Sequence, residues 1–374
     1  MDIAVLAGGR SPEHDVSLAS AAQVLAHLDR GRWRVWPVYL DLHGGWWPRR
    51  EPLPAGVSWR PDDGSCDGPL RPGRALDRLL GRTDIGAVFP VLHGPFGEDG
   101  TIQGMLALYD LPCVGSGQAA SAVAMDKLRT RAALAAAGVP MPRAYLPTRG
   151  LGDASAELEF AAIASTVGAP AFVKADLSGS TVGVQRIEDA SGLASFFAEF
   201  GGTFRRWYAE ELVAGEEITV AVLGDTGSEL EALPAIGIYP KHAAFFTHEA
   251  KYVPGATDEV IPPRGLSGSE LAAVAELAQR CHRALVCDGM SRTDMIMAAD
   301  GPRVLEVNTI PGLTPTSLLP QAAAAAGYSF GALLDRLLDL ALRRAPLRPA
   351  EPPASVDRLG AMRAADRSLA SEQA

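Results

Sequence analysis

Apolar runs punctuated by turn residues lay out the chain's elements before any chemistry is considered. Ile3 to Ala7 is a continuous apolar run that stops at Gly8-Gly9, and Arg34 to Leu40 and Ile85 to Leu92 repeat the pattern. Such runs predict strands buried on both faces, and the helical stretch from about Val16 to Leu28 predicts the crossover between the first two. Strand, glycine turn and helix in that order suggest a doubly wound α/β domain, although no G-x-G-x-x-G dinucleotide fingerprint follows the strand. His43 to Arg74, rich in Gly, Pro and Trp, predicts an irregular excursion. Beyond it the pattern gives a helix from Thr101 to Tyr109, a short strand from Pro112 to Gly115, and a helix containing Met125-Asp126-Lys127. That helix ends near Gly138, a C-terminal cap with Pro140 just past it, which marks a domain hinge.

A second α/β unit follows: helix Ala156 to Thr166, strand Ala171 to Ala175, a loop from Asp176 to Thr181, strand Val182 to Ile187 and helix Ser191 to Phe200. Strands come next near Trp207 to Val213, Glu217 to Gly224 and Leu230 to Tyr239. They lead to a long loop, Pro240 to Gly265, and a helix from Ser267 to about Val286. The expected units are 1–124, 125–209 and 210–344. After a helix from Phe330 to Arg343, the Pro/Ala/Arg-rich stretch 345–374 reads as a loosely held tail.

The stretch SRTDMIMAADGPRVLEVNTIPGLT, Ser291 to Thr314, carries the most chemistry. Two apolar runs flank Asp300-Gly301, a dipeptide suited to a tight hairpin turn. Side chains alternate along a strand, so Arg292 and Asp294 share a face, as do Glu306 and Asn308 on the neighbouring strand. Two carboxylates, an amide and a guanidinium thus converge, and oxygen ligands on a rigid sheet suit Mg²⁺ that shares its shell with phosphates. Taken singly, each residue reads better as part of an exposed cross-strand cluster. The sequel, Asn308-Thr309-Ile310-Pro311-Gly312, breaks the strand at once and lets Gly312 bring a bare N–H to a ligand.

Composition narrows the class. The 374 residues suffice for two or three domains, and 47% apolar with 21% charged residues is ordinary for a globular enzyme. No stretch approaches the ~18–20 consecutive apolar residues of a membrane helix, and MDIAVLAGGR has no basic leader, so the expected place is the cytoplasm. Cys66, Cys113, Cys281 and Cys287 show neither metal-ligand spacing nor a disulfide framework. A net charge of −10 argues against nucleic acid as partner. It leaves room for an anionic nucleotide in a locally basic cleft.

R-x-D followed by E-x-N-T-x-P-G resembles the carboxyl-terminal metal site of the ATP-grasp ligases. LEVNTIPGLTPTSLLP is close to that of the D-alanine–D-alanine ligases, and HGPFGEDG resembles another of their segments. Lys174-Ala-Asp-Leu-Ser-Gly-Ser-Thr-Val-Gly183 is similar to their phosphate-covering loop, with Ala175 in place of proline and Thr181 in place of serine. Read alone, that loop is either an anion nest of backbone N–H groups or an ordinary hairpin loop. The resemblance runs collinearly from residue 1 to about 343.

The resemblance implies an ATP-grasp fold behind an amino-terminal doubly wound domain, with ATP, D-alanine and two Mg²⁺ ions replaceable by Mn²⁺. It further implies a homodimer that makes D-alanyl-D-alanine for peptidoglycan precursors, with no nucleic-acid or membrane partner. Asp294, Glu306 and Asn308 would hold metal; Lys127, Lys174, Lys251 and Ser180 would meet the phosphates. Glu210, Val213 and Glu217 would receive adenine and ribose. Glu13 and His93 would bind the first D-alanine, Ser317 and Leu318 the second, and Arg292 with Gly312 the oxyanion. Ser180 and Tyr252 would join Glu13 in a hydrogen-bonded latch, with Pro240 to Gly265 as lid. Other readings are an ATP-grasp ligase forming D-alanyl-D-lactate, D-alanyl-D-serine or another dipeptide, and a non-catalytic nucleotide-binding regulator.

Overall fold

Seven consecutive buried residues make β1 (Asp2–Gly8), a strand that needs cover on both faces. In the computed structural model, which describes residues 1–61, 63–148, 155–176, 183–241 and 257–344, that cover comes from the elements wound around it. The chain runs through α1 (His14–His27), β2 (Arg34–Leu40), β3 (Trp46–Pro48), α2 (Pro72–Leu80), β4 (Ile85–Val91) and α3 (Thr101–Leu108). The sheet order is β3-β2-β1-β4, with β2 and β4 both parallel to β1. The chain leaves β1 on one side and returns on the other. This reversal opens a crevice past the carboxyl ends of β1 and β4, the usual place for ligands in a doubly wound sheet.

Three expectations change here. The excursion after His43 contains β3 and ends in α2, whose first residue, Pro72, occupies the one helical turn where a missing N–H is harmless. Pro112 to Gly115 is no strand; it makes only an isolated bridge from Cys113 to Val88. The helix through Met125-Asp126-Lys127 is two helices, α4 (Gln118–Met125) and α5 (Lys127–Ala136). Asp126 breaks them because its carboxylate caps α5, accepting the Arg129 N–H at 3.0 Å.

The second unit is the antiparallel sheet β5-β8-β6-β7, formed by β5 (Ala144–Tyr145), β6 (Ala171–Ala175), β7 (Val184–Ile187) and β8 (Trp207–Glu211). Helices α6 (Ala156–Thr166) and α7 (Ala190–Phe200) pack on it through Ile163, Leu193 and Phe196.

The third sheet follows the order β12-β11-β9-β13-β14, with β10 beside β9. Its members are β9 (Glu216–Leu223), β10 (Glu231–Ala232), β11 (Ile236–Pro240), β12 (Thr257–Val260), β13 (Met290–Ala298) and β14 (Gly301–Asn308). Leu230 to Tyr239 is therefore two strands, and the expected lid loop, Pro240 to Gly265, contains β12. Helix α8 (Gly268–Ala284), opened by a capping box between Ser267 and Glu270, covers one face through Val274, Leu277 and Ala278. Helices α9 (Leu318–Ala325) and α10 (Phe330–Arg343) cover the other. Leu333, Leu334, Leu337 and Leu338 of α10 share one core with Ile3, Val5 and Phe89 of the first sheet and Leu223 and Ile236 of the third. Each buried leucine contributes about 1.5–3 kcal/mol, and together they fix the seam between the two sheets. The functional cleft opens along that seam.

Candidate active site

The hairpin forms in the register that strand alternation requires. Arg292 pairs with Asn308 and Asp294 with Glu306; a bulge just beyond leaves Met295 opposite Val304. The Arg292 guanidinium donates from Nε and Nη2 to Asp294 Oδ1 and Oδ2 at 2.9 and 2.8 Å. Asn308 Nδ2 donates to Asp294 Oδ2 at 3.1 Å, and Thr219 Oγ1, from the strand alongside, reaches Oδ1 at 2.5 Å. Burial disfavours the Arg292 charge, but Asp294 outweighs it and holds the group well above the ordinary arginine range. It stays a cation at any working pH.

Two carboxylates and an amide oxygen on neighbouring strands are hard donors, which fits Mg²⁺ with phosphate oxygens completing its shell. Among the described residues no group of three or more His, Cys, Asp and Glu is arranged to hold a metal ion by itself. A site here rests on Asp294, Glu306 and Asn308 with ligands from the substrate. Lys127 enters from the first turn of α5, its Nζ 4.0 Å from Glu306 Oε2.

A cleft of about 480 Å³ lies against this hairpin face. It is lined by Glu13, His93, Lys127, Arg292, Glu306, Asn308, Gly312, Ser317 and Leu318. Glu13 and His93 come from the loops past β1 and β4, so the topological switch of the first sheet delivers both to one crevice. Burial holds His93 below its ordinary pKa, with the Glu13 carboxylate opposing, so the ring is neutral near pH 7. Gly312 sits so close to the next turn that a Cβ would lie 2.6 Å from Ser317 Oγ. Thr314 N donates to that same oxygen at 3.0 Å, which folds the turn back over the cleft and starts α9 at Leu318.

The residues expected around the nucleotide divide differently. Lys174 Nζ is 2.5 Å from Glu210 Oε2, and Arg131 Nη1 is 2.5 Å from Oε1. Glu210 is buried between these two cations, so its carboxylate is committed to positioning Lys174. Val213 lies half-buried between β8 and β9, and Glu217 stands in β9 opposite Ile296. Gly215, between them, is required: a Cβ there would meet Met297 O at 2.1 Å. Lys174, Glu210, Val213 and Glu217 do not line the cleft. Ser180, Lys251 and Tyr252 lie outside the described residues.

Three further groups belong to this site. Thr219 fixes Asp294; its signal was a polar residue on the cleft side of the apolar run Ile218-Thr219-Val220. Glu98, inside HGPFGEDG, lines the cleft. Burial, and after it the Glu13 carboxylate, push Glu98 up to about 8, against the pull of the Gly94 N–H that it accepts at 2.7 Å. It is largely protonated at neutral pH. Glu259 also lines the cleft, and no sequence pattern singles it out.

Comparisons with known proteins bear on both halves of this arrangement. Residues 2–116 match the family model "D-ala D-ala ligase N-terminus", and residues 133–339 match "D-ala D-ala ligase C-terminus". The D-alanine--D-alanine ligase of Syntrophobacter fumaroxidans is 40% identical over 346 residues, spanning 91% of this chain and 98% of that protein. The D-alanine-D-alanine ligase of Coxiella burnetii superposes with a TM-score of 0.74 at 27% identity, covering 92% of this chain and 96% of its own. A Bacillus anthracis D-alanine--D-alanine ligase complexed with ATP superposes with a TM-score of 0.68 at 29% identity, covering 92% and 98%. With both halves matched and the relatives covered almost end to end, the chain belongs to the D-alanine–D-alanine ligase family, whose ATP-grasp fold it shares.

Proposed function

We propose that the cleft joins two D-alanine molecules into D-alanyl-D-alanine through an acyl phosphate, with ATP as the phosphoryl donor. The observation that carries this is the placement of Arg292, Glu306, Asn308 and Gly312 in one cleft with Glu13 and His93. A phosphate site, an oxyanion site and an amino-acid site then share one volume.

Glu13 pairs with the ammonium of the first D-alanine, and the neutral His93 ring hydrogen-bonds its carboxylate. A carboxylate oxygen of that substrate attacks the γ-phosphorus of ATP, and ADP leaves. Asp294, Glu306 and Asn308 would hold Mg²⁺, two ions in all with Mn²⁺ able to substitute, and the metal supplies charge neutralisation on the phosphates. Lys127 and Lys174, with Lys251 and the loop at Ser180, add positive charge and backbone donors around the same oxygens. The amine of the second D-alanine, seated against Ser317 and Leu318, attacks the acyl carbon. Arg292 and the Gly312 N–H hold the negative oxygen that forms, and inorganic phosphate departs as the amide closes. Water must be kept out, since an acyl phosphate hydrolyses. Tyr252 and Ser180, expected to join Glu13 in a hydrogen-bonded latch, would serve that end.

The units are 1–124 for the first substrate, 125–209 and 210–344 for the nucleotide and metal, and 345–374 as tail. The enzyme works as a homodimer in the cytoplasm, supplying peptidoglycan precursors. Mass detection of products from ATP, Mg²⁺ and D-alanine tests the reading directly. Dipeptide with equimolar phosphate is the expected result; phosphate release indifferent to D-alanine would replace it with a nucleotide-binding regulator.

A further inference from the structure

The reaction brings two ammonium groups into one cleft, and the cleft's carboxylates divide accordingly. Glu306 faces Lys127 and the metal site. Glu98 is held largely protonated beside Glu13. Glu13 stands at the His93 end. That leaves Asp15, in the first turn of α1 two residues from Glu13, and Glu259, from β12, which lines the cleft with Arg292, Gly312, Thr316, Ser317 and Leu318.

Glu259 is built into place. Gln321 Nε2 donates to its Oε2 and also to Thr316 O at 3.0 Å, so one amide ties the carboxylate to the turn that follows Gly312. Gln321 lies one helical turn beyond Ser317, on the face of α9 that carries the expected seat of the second amino acid. Among the described residues, Glu259 Oε1 has no hydrogen-bond partner. Burial raises the Glu259 pKa, and the Arg292 cation across the cleft opposes that rise.

We propose that Glu259, positioned by Gln321, receives the ammonium of the second amino acid and thereby selects an amine over a hydroxyl at that position. The assignment rests on the dipeptide-forming reading above. A carboxylate beside the Gly312 turn attracts the ammonium of a D-amino acid and offers the uncharged hydroxyl of a hydroxy acid much less.

The test measures dipeptide and depsipeptide from ATP, Mg²⁺ and D-alanine with and without D-lactate, for wild type, Glu259→Gln and Gln321→Leu. Glu259→Gln keeps the shape and the Gln321 contact but removes the charge. It should raise the second-site KM for D-alanine by about 10–100-fold, the range for a hydrogen bond to a charged group. KM for ATP and for the first D-alanine should stay within about twofold, and the depsipeptide-to-dipeptide ratio should rise. Gln321→Leu leaves the carboxylate but frees it, and should move the same two quantities in the same direction by less. A strut without substrate contact would instead lower kcat or change both D-alanine KM values together; that outcome, or an unchanged product ratio in Glu259→Gln, overturns the assignment. Should Glu259→Gln fail to fold, the ratio in Gln321→Leu decides alone. Absence of dipeptide from the wild type overturns the underlying reading and the assignment with it; wild-type dipeptide with no second-site change in the variants overturns the assignment only.

Discussion

The two walls of the cleft are made by opposite means. On one wall, Arg292, Asp294, Glu306 and Asn308 stand on a single hairpin, and the register Arg292↔Asn308, Asp294↔Glu306 follows from a tight turn and strand alternation. On the other, Glu13 and His93 come from loops far apart in sequence, and they meet only because β1 and β4 lie side by side and parallel. The first wall is a local construction whose side chains brace one another. The second depends on topology: the His93 ring lies 3.5 Å from Ser20 Oγ of α1, and Ser11 Oγ accepts the Glu13 N–H at 3.1 Å. Substitution of the buried Asp294 at the centre of the first wall should therefore disturb chemistry and folding together; in the second wall substitutions should affect substrate binding alone.

The harshest trial is Asp294→Ala. Asp294 is 6% exposed and takes bonds from Arg292, Asn308 and Thr219. Removing it should abolish measurable turnover and destabilise the fold by about 3–5 kcal/mol, because a buried guanidinium loses its partner. Urea unfolding alongside product assay checks both halves. Glu306→Gln separates them: with a side chain 35% exposed, it should unfold near the wild-type midpoint while losing turnover by orders of magnitude. A large stability loss in Glu306→Gln would mean that the hairpin is braced from both strands equally.

Arg292→Lys comes next, with a loss of roughly 10²–10³-fold in kcat, the range for one oxyanion donor. Lysine keeps the charge but cannot make the paired bonds to Asp294. Weakened ATP binding at unchanged kcat would make Arg292 a phosphate ligand instead. On the opposite wall, Glu13→Gln should raise KM for D-alanine by about 10–100-fold, as loss of a charged hydrogen bond would. Thermal stability and KM for ATP should hold. If Glu13→Gln unfolds as easily as Asp294→Ala, the contrast between the walls fails.

The same contrast explains how much was legible in the sequence. The hairpin's face-sharing, the strand at Arg34 and the helices beginning at Ala156 and Phe330 follow from periodicities that a single segment carries. The break at Asp126 was written as a capping aspartate, but an unbroken apolar pattern on both sides hid it. Pro112 to Gly115 has strand-like residues and lacks a ladder, since only Cys113 meets β4; pairing is not a property of one segment. The joining of Glu13 and His93 came only through resemblance to a family. The Glu210 ion pairs with Lys174 and Arg131 had no signal at all, because three residues on three elements meet by tertiary packing. Glu259 is of the same kind: its role is set by Gln321 on a helix that the pattern did not single out.

The last prediction leaves neutral-pH turnover alone and probes what stands behind the hairpin. His282 of α8 is fully buried, and its Nδ1 lies 2.8 Å from Ser291 Oγ at the start of β13, on the face away from the cleft. Burial lowers its pKa from the ordinary 6.5 to about 4, so the folded ring is neutral where the unfolded ring already takes up a proton. Between these values the unfolded chain binds more protons, and stability must rise with pH. The contribution is therefore whole above pH 6.5 and is lost progressively as pH falls to about 4. A difference of that size corresponds to about 3 kcal/mol at most. His282→Asn cannot titrate, so its unfolding free energy should fall less steeply than wild type across pH 6.5 to 4, even if a lost contact with Ser291 lowers the whole curve. Parallel curves for the two proteins would show that acid acts elsewhere, and that the hairpin's rear support does not depend on a neutral imidazole.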